Sequence, residues 1–221
     1  MKKICTFIFI IVLMKISHAQ KVEIKKETKP MNVAILIYEG IYMLDFTGPY
    51  EIFVDTYSKD GKPLFNAYTV APGDTMIKAH SGLNVKADFS IKNAPQPDIF
   101  VIPGGDLSLL KNNEPLKKWL IETANKSQIV VSVCTGAFIL SSAGLLDGME
   151  ATTWYGAIDK LQELTPKAKV VKDKRITDNG KIITTAGVSA GIDGALYIVS
   201  RLFGKETATA TAKYIEYKGW E

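Results

Sequence analysis

The stretch VVSVCTGAFIL, residues 130–140, places a cysteine between an apolar, β-branched run and a segment of helical character. We expect Cys134 to occupy the sharp strand-to-helix turn called a nucleophile elbow. A sulfur atom there lies at the N-terminus of a helix, where the dipole and the free N–H groups favour a reactive thiolate. Most free cysteines are small buried apolar residues, which is the alternative. The corner position favours the reactive thiol.

Asp45 follows the first predicted strand and lies in a loop among apolar neighbours, in YMLDFTGPYEIF. Burial of its carboxyl group would raise the pKa of that group and let it carry a proton near neutral pH. Helix N-capping is the alternative role, but Thr47 is better placed to cap a helix that begins near Pro49. Because ligands bind at the carboxyl ends of the strands in an open α/β sheet, Asp45 should lie near Cys134.

Two glycines end the third predicted strand, in IPGG at residues 102–105. The N–H groups of Gly104 and Gly105 could form half of an oxyanion hole, and the N–H group of Thr135 the other half. A tight turn that requires positive φ explains the same glycines equally well.

The sequence GVSAG, residues 187–191, matches the serine hydrolase pattern G-x-S-x-G. That chemistry needs a histidine later in the chain, and none follows Ser189. Ser189 is therefore predicted to be a helix N-cap. His80 lies in a predicted hairpin and is predicted to be a polar surface residue. The sequence has no Cys/His cluster that could bind zinc, and we expect neither a metal nor an organic cofactor.

The N-terminus is typical of a secretory signal. A basic start and a short apolar run, residues 4–14, lead to a small-x-small site at residues 17–19. We therefore expect residues 1–19 to be cleaved and the protein to be periplasmic or secreted, with no membrane attachment afterwards. The polar segment 20–30 is predicted to be a mobile lead-in.

Export would change the charge and the inventory of reactive groups. The signal contains three lysines, so its removal lowers the formal net charge from +4 to +1. No basic stripe remains to bind nucleic acid. Cys134 and His80 would be the single cysteine and the single histidine of the mature chain, which excludes a disulfide framework within one chain.

After the lead-in, short β-rich runs alternate with amphipathic helical segments. This alternation predicts one α/β domain over residues 31–221, with a mostly parallel sheet covered by helices on both faces. The predicted core strands lie at 32–38, 64–72, 97–105 and 128–133, with two or three more across 169–187 and a type I′ turn at Asn179–Gly180. A hairpin is predicted at 77–88, and helices at 48–59, 114–126, 135–146, 155–164, 189–204 and 205–217.

The motifs VIPGG, SVCTGAFILSSAGLLDGMEATT and TTAGVSAGIDGALYIV resemble the ThiJ/PfpI family of the class I glutamine amidotransferase-like superfamily. With LDFTGPYEIF and the ending KYIEY, they are most similar to isonitrile hydratases and to the N-terminal domains of AraC-type regulators. The resemblance covers residues 31–217. It implies a flavodoxin-like three-layer sandwich that forms a homodimer and acts on a small-molecule substrate.

The resemblance also implies roles for individual residues. Cys134 would be the nucleophile and Asp45 a general acid/base that hydrogen-bonds it, while Thr135 assists and Val188 lines the pocket. The chain departs from the family where Ala-Thr-Thr-His-Trp is usual, because Trp154 stands in place of the histidine. This replacement disfavours the family's protease and glyoxalase activities more than an aspartate-assisted hydration. An isonitrile hydratase is therefore the leading interpretation, and an exported thiol sensor or binding protein is the alternative.

Overall fold

The computed structural model describes residues 29–110 and 113–220. Its strands are β1 Met31–Leu36, β2 Phe65–Ala71, β3 Met76–Lys78, β4 Asn84–Lys86, β5 Phe89–Ser90, β6 Ile99–Ile102, β7 Ile129–Val133, β8 Glu150–Ala151, β9 Lys169–Val170, β10 Ile176–Asp178 and β11 Ile182–Thr185. Its helices are α1 Met43–Val54, α2 Glu114–Lys126, α3 Gly136–Ser142, α4 Ile158–Leu164, α5 Ala190–Phe203 and α6 Lys205–Tyr214. Short 3₁₀ turns lie at Leu107–Leu110 and Tyr155–Ala157. The predicted signal and most of the lead-in lie outside the described residues.

A seven-stranded sheet has the order β10-β11-β7-β6-β1-β2-β5. Its strands are parallel except for β10, which pairs antiparallel with β11. The order β2-β1-β6-β7-β11 is the flavodoxin-like order, and the chain reverses its direction of growth between β1 and β6. The predicted α/β class with a mostly parallel sheet and helices on both faces is confirmed.

The central strands are buried on both faces, as their continuous apolar sequences predict. Every residue of β6 and β7 is buried. Edge-to-face ring contacts connect the sheet to its helices. Phe65 of β2 packs on Phe53 of α1 and on Phe203 of α5. Phe100 of β6 packs on Trp119 of α2. Within the described residues, no helix has the length and apolar character needed to cross a membrane.

The first helix begins earlier than its sequence predicts. It starts at Met43, so Asp45 lies in its first turn rather than in a loop, and Pro49 lies inside it. Proline has no N–H to donate to the Asp45 carbonyl, and the helix continues through it. Thr47 does not cap the helix, since its hydroxyl donates to the Met43 carbonyl at 2.9 Å. The start is fixed instead by the N–H of Tyr42, which donates to the Gly104 carbonyl at 3.0 Å.

Turn chemistry accounts for the other differences. The β3–β4 hairpin confirms the one predicted at 77–88. The β10–β11 turn is not type I′, because Gly180 has positive φ and Asn179 does not. Helix α3 ends at Ser142 rather than near 146, since Gly144 adopts positive φ and its N–H donates to the Ser141 carbonyl.

Candidate active site

Cys134 occupies the corner between β7 and α3, as the sequence predicts. Its φ of 57° is in the left-handed region, which residues with a side chain rarely adopt. Two hydrogen bonds hold the corner from the neighbouring chain segments. The Cys134 N–H donates to the Ala186 carbonyl at 3.0 Å, and the Thr153 hydroxyl donates to the Cys134 carbonyl at 2.7 Å.

Asp45, Gly104 and Thr135 converge beside this corner. A Cβ atom placed on Gly104 would lie 2.7 Å from Oδ2 of Asp45 and 2.7 Å from Oγ1 of Thr135, so only glycine fits there. The Gly104 N–H donates to Asp45 Oδ2 at 3.1 Å, and the Gly105 N–H donates to Thr135 Oγ1 at 3.1 Å. Both N–H groups predicted to form half of an oxyanion hole are thus engaged by side chains. In this arrangement they orient Asp45 and Thr135.

The Asp45 carboxyl group is fully buried. Burial raises its pKa to about 6, and the Cys134 thiol and the N–H groups of Gly104 and Val188 oppose that rise. Oδ1 has no partner that meets hydrogen-bond geometry, so the thiol and the Val188 N–H lie close to the carboxyl group without forming well-aligned hydrogen bonds with this oxygen. The predicted rise in pKa is confirmed, although its setting is a helix and not a loop.

The Cys134 thiol does not have the lowered pKa that its corner predicts. Its residue is 4% exposed, and burial together with the Asp45 carboxylate raises the pKa of the thiol to about 12. The N–H groups of Thr135 and Val188 act in the opposite direction but do not compensate. Helix α3 is only seven residues long, and a buried anion beside a carboxylate is costlier than its dipole can offset. The resting pair is therefore a thiol and a carboxyl group that ionises near pH 6.

Val188 occupies a second corner of the same kind, between β11 and α5. Its φ is also 57°, and Ser189 follows with φ −63°. The strained position in GVSAG thus carries Val188, one residue before the serine, so Ser189 is not the residue at an elbow. Ser189 is the N-cap residue of α5, as the sequence predicts, but its side chain makes no capping hydrogen bond. Its hydroxyl instead accepts a hydrogen bond from Nη2 of Arg175 at 3.0 Å.

Trp154 lies over the turn that leads to Val188. A Cβ atom placed on Gly187 would lie 2.7 Å from Cδ1 of Trp154 and 3.2 Å from Sγ of Cys134. The indole therefore packs on the bare backbone of Gly187, next to the sulfur. This is the position at which the sequence departs from the family pattern.

Three residues near the site were not identified from the sequence. Tyr38 is buried and its hydroxyl donates to the Pro103 carbonyl at 2.8 Å, which supports the turn before Gly104. Thr153 holds the Cys134 carbonyl, and Arg175 ties Ser189 to Asp193. In the sequence Arg175 is one of three cations in KDKR, residues 172–175, and nothing in the local pattern pairs it with Asp193.

His80 is exposed and its ring lies against Tyr42, with ring centroids 4.8 Å apart and planes tilted by 57°. Among the described residues, no group of three or more His, Cys, Asp and Glu side chains is arranged to hold a metal ion.

Fold and site together define a class of protein, the flavodoxin-like α/β proteins with a cysteine at the corner between a central strand and a helix. The chain belongs to the DJ-1/PfpI family, whose model matches residues 31–201. This agrees with the family that the motifs around Cys134 resemble.

Similar proteins include enzymes and regulators. The chain is 31% identical to the isonitrile hydratase of Pseudomonas putida, over 85% of this chain and 78% of that one. It is 23% identical to the HTH-type transcriptional regulator GbdR of Pseudomonas aeruginosa, over 86% of this chain and 51% of the regulator. A crystal structure of a ThiJ/PfpI family protein from Pseudomonas syringae matches with a TM-score of 0.75 at 25% identity, covering 86% of this chain and 76% of that one.

Proposed function

We propose that the chain is a cysteine-dependent enzyme of the isonitrile hydratase type, which adds water to an isonitrile and yields an N-substituted formamide. The observation that carries the proposal is the buried pair of Cys134 and Asp45, with the carboxyl group oriented by the Gly104 N–H. His80 is the single histidine of the described residues and its ring lies against Tyr42, and the proposed reaction uses no imidazole. Similarity to the isonitrile hydratase of Pseudomonas putida supports the choice of reaction.

In the first half of the reaction, Asp45 would accept the thiol proton as the sulfur attacks the terminal carbon of the isonitrile. A C–S bond forms, and the same proton passes from Asp45 to that carbon. The product of this half is a thioformimidate, R–N=CH–S–Cys134, and Asp45 is again ionised. A pKa near 6 suits the carboxyl group to both proton transfers at neutral pH.

In the second half, Asp45 would draw a proton from water as the water oxygen adds to the C=N carbon. The nitrogen takes up one proton and the C–S bond breaks as the carbonyl group forms. The second proton returns to the sulfur through Asp45, which releases the formamide R–NH–CHO. One water molecule is consumed, and no oxidant, reductant, metal or organic cofactor enters the balance.

The test is conversion of methyl isonitrile, followed as formation of N-methylformamide by NMR at pH 7.5 against a protein-free control. We expect turnover in the wild type and its loss in Cys134→Ala. Removal of acid/base help in Asp45→Asn should lower the rate by about 10²–10⁴-fold. Absence of turnover in the wild type, or undiminished turnover in Cys134→Ala, would reject the assignment.

A second function is favoured by a different observation. The chain is similar to about half of the regulator GbdR, so a small-molecule binding domain that does not turn over its ligand is the rival. Binding of an isonitrile or formamide without conversion would support the rival. A thiol redox sensor is less well supported, because selective oxidation needs an accessible thiolate and the Cys134 thiol is buried with a raised pKa.

Export and dimerisation stay predictions. N-terminal sequencing of protein recovered from the periplasm or the medium should begin after residue 19. Light scattering of the mature chain should give twice the monomer mass.

A further inference from the structure

An exposed apolar wall stands beside the buried thiol. It consists of Trp154, Tyr155 and Val188, which are 37%, 80% and 48% exposed. The rings of Trp154 and Tyr155 are in contact, with centroids 4.8 Å apart and planes tilted by 55°. Contiguous exposed apolar groups often mark a binding surface. Trp154 borders the sulfur across Gly187, Val188 is the next residue in the chain, and Tyr155 continues the surface from Trp154.

Glycines on both sides hold the indole of Trp154 in place. A Cβ atom placed on Gly187 would lie 2.7 Å from Cδ1, and one placed on Gly156 would lie 2.5 Å from Cζ3. Any side chain at either position would displace the ring. The same point on Gly187 is 3.2 Å from Sγ of Cys134, so the indole edge and the sulfur border the same spot.

The cation connected to this turn is already neutralised. Arg175 forms an ion pair with Asp193 and donates to the hydroxyl of Ser189, the residue after Val188. A charged substituent would therefore find no free counter-charge in this network. An uncharged ring can stack against the exposed aromatic faces in the offset or edge-to-face arrangements that such rings prefer.

We propose that this wall binds an aromatic substituent of the substrate, so that an aryl- or benzyl-substituted isonitrile presents its terminal carbon to Cys134. The inference rests on the proposed function and names the substrate class of the same site. Trp154 is the specificity-determining residue, and Tyr155 and Val188 extend the surface that the ring covers.

The first test compares kcat/KM for benzyl isonitrile and methyl isonitrile. We expect the wild type to prefer the benzyl compound, and Trp154→Ala to lower that preference by about tenfold, the loss expected for one stacking contact. Trp154→Phe should retain part of it. The matched control is Tyr214→Ala, which removes an exposed aromatic side chain from α6, and it should keep the wild-type ratio. An unchanged ratio in Trp154→Ala would overturn the proposal.

The second test needs no turnover. Cys134 is alkylated with N-phenylmaleimide and with N-methylmaleimide, the Cys134 peptide is quantified by mass spectrometry, and the ratio of rates is divided by that of free cysteine. We expect this normalised ratio to be several-fold above one in the wild type and in Tyr214→Ala, and to fall to about one in Trp154→Ala.

The two tests separate the two proposals. Isonitrile turnover without an aromatic preference in either test would overturn the wall as a substrate site and leave the proposed function in place. A maleimide preference that depends on Trp154, without any isonitrile turnover, would support the aromatic site and reject the proposed function. If Trp154→Ala alters neither ratio but halves the mass in light scattering, the wall is a contact between copies of the chain and the proposal is overturned.

Discussion

Two strand-to-helix corners lie side by side in this protein and have nearly the same backbone. Cys134 follows β7, Val188 follows the neighbouring β11, and both have φ of 57°. In each case the next residue has helical dihedral angles and is the N-cap of the helix that follows. One corner carries a buried thiol and the other a half-exposed isopropyl group. The strained turn thus belongs to the fold, and the chemistry comes from what surrounds it.

The surroundings of the two corners differ in one respect above all. Asp45, Gly104 and Thr135 lie beside Cys134, whereas the side chain that holds the Val188 corner is Arg175, which donates to the hydroxyl of the following Ser189. The corners nevertheless work together, because the Val188 N–H lowers the pKa of both Cys134 and Asp45. The costly left-handed conformation of Val188 accompanies an N–H that acts on both groups, which gives a physical reason for a β-branched residue with positive φ at this corner.

The largest effect should come from the third residue of each corner. A Cβ atom placed on Gly136 would lie 2.0 Å from the Ile102 carbonyl oxygen, whereas the second corner buries Ala190 at the equivalent place. We expect Gly136→Ala to lower the free energy of unfolding by more than about 3 kcal/mol, and Ala190→Gly by about 1 kcal/mol. Urea unfolding followed by circular dichroism measures both. Equal midpoints for the two variants would contradict the close fit of the Cys134 corner.

Replacement of Asp45 by Asn should raise the free energy of unfolding at neutral pH and lower the rate of turnover. Its pKa is about 6 in the folded protein against an ordinary value of 3.8, so the folded state holds a proton that the unfolded chain releases. Ionisation therefore removes about 3 kcal/mol of stability as the pH rises from 4 through 6. We expect Asp45→Asn to be more stable than the wild type at pH 7 and equally stable below pH 4. Urea unfolding at both pH values checks this.

The same variant should make the thiol easier to ionise, because the Asp45 carboxylate raises the pKa of Cys134. Alkylation of Cys134 at pH 8 should be faster in Asp45→Asn while turnover falls. Cys134→Ala is the matched control for stability, since it keeps the carboxyl group and should keep most of the dependence on pH. A pH dependence unchanged in Asp45→Asn would show that another group causes it.

A smaller effect is expected from Arg175, which holds the second corner through Ser189. We expect Arg175→Met to slow alkylation of Cys134 by up to about tenfold between pH 8 and 10, because the Val188 N–H would be less well held. Ser189→Ala should act in the same direction. Arg201→Met is the matched control, since Arg201 pairs with Asp178 near the opposite end of α5. Equal rates for the two arginine variants would contradict a positioning role for Arg175.

The smallest effect should be that of Val188→Gly on stability. Glycine removes the cost of the left-handed conformation, about 1–2 kcal/mol, but increases the entropy of the unfolded chain by a similar amount. We expect a net change within about 1 kcal/mol. Cys134→Gly should be more destabilising, since it also removes a buried side chain. Urea midpoints compare the two, and a large loss in Val188→Gly alone would show that the isopropyl group stabilises this turn.

The sequence predicted the sheet and the corner because both depend on local signals. Continuous β-branched runs identify buried parallel strands, and a cysteine between such a run and a helix marks the turn. The charge state of the thiol could not be predicted in this way. It depends on burial by residues from other elements and on a carboxylate that arrives from α1, and both act through space.

The predicted start of the first helix was wrong for a related reason. Pro49 reads as the start of a helix, yet α1 begins at Met43 because the Tyr42 N–H bonds to Gly104 at the end of β6. Arg175 lies outside α5 and contacts both Ser189 and Asp193 through space. The local sequence therefore predicts an N-cap role for Ser189 and does not indicate its bond to Arg175. Errors of this kind concentrate where tertiary contacts decide the local structure.

Burial of the only described cysteine makes its sulfur a reporter of assembly. Helix α1 and the segments that follow β6, β7 and β11 must be in place before the thiol is enclosed, and until then it behaves as an ordinary thiol with a pKa near 9. A rise to about 12 means that roughly 1,000-fold less thiolate is present at pH 8 once the chain has folded. A short pulse of alkylating reagent during refolding should therefore record, in the Cys134 peptide, the moment at which the sheet closes around it.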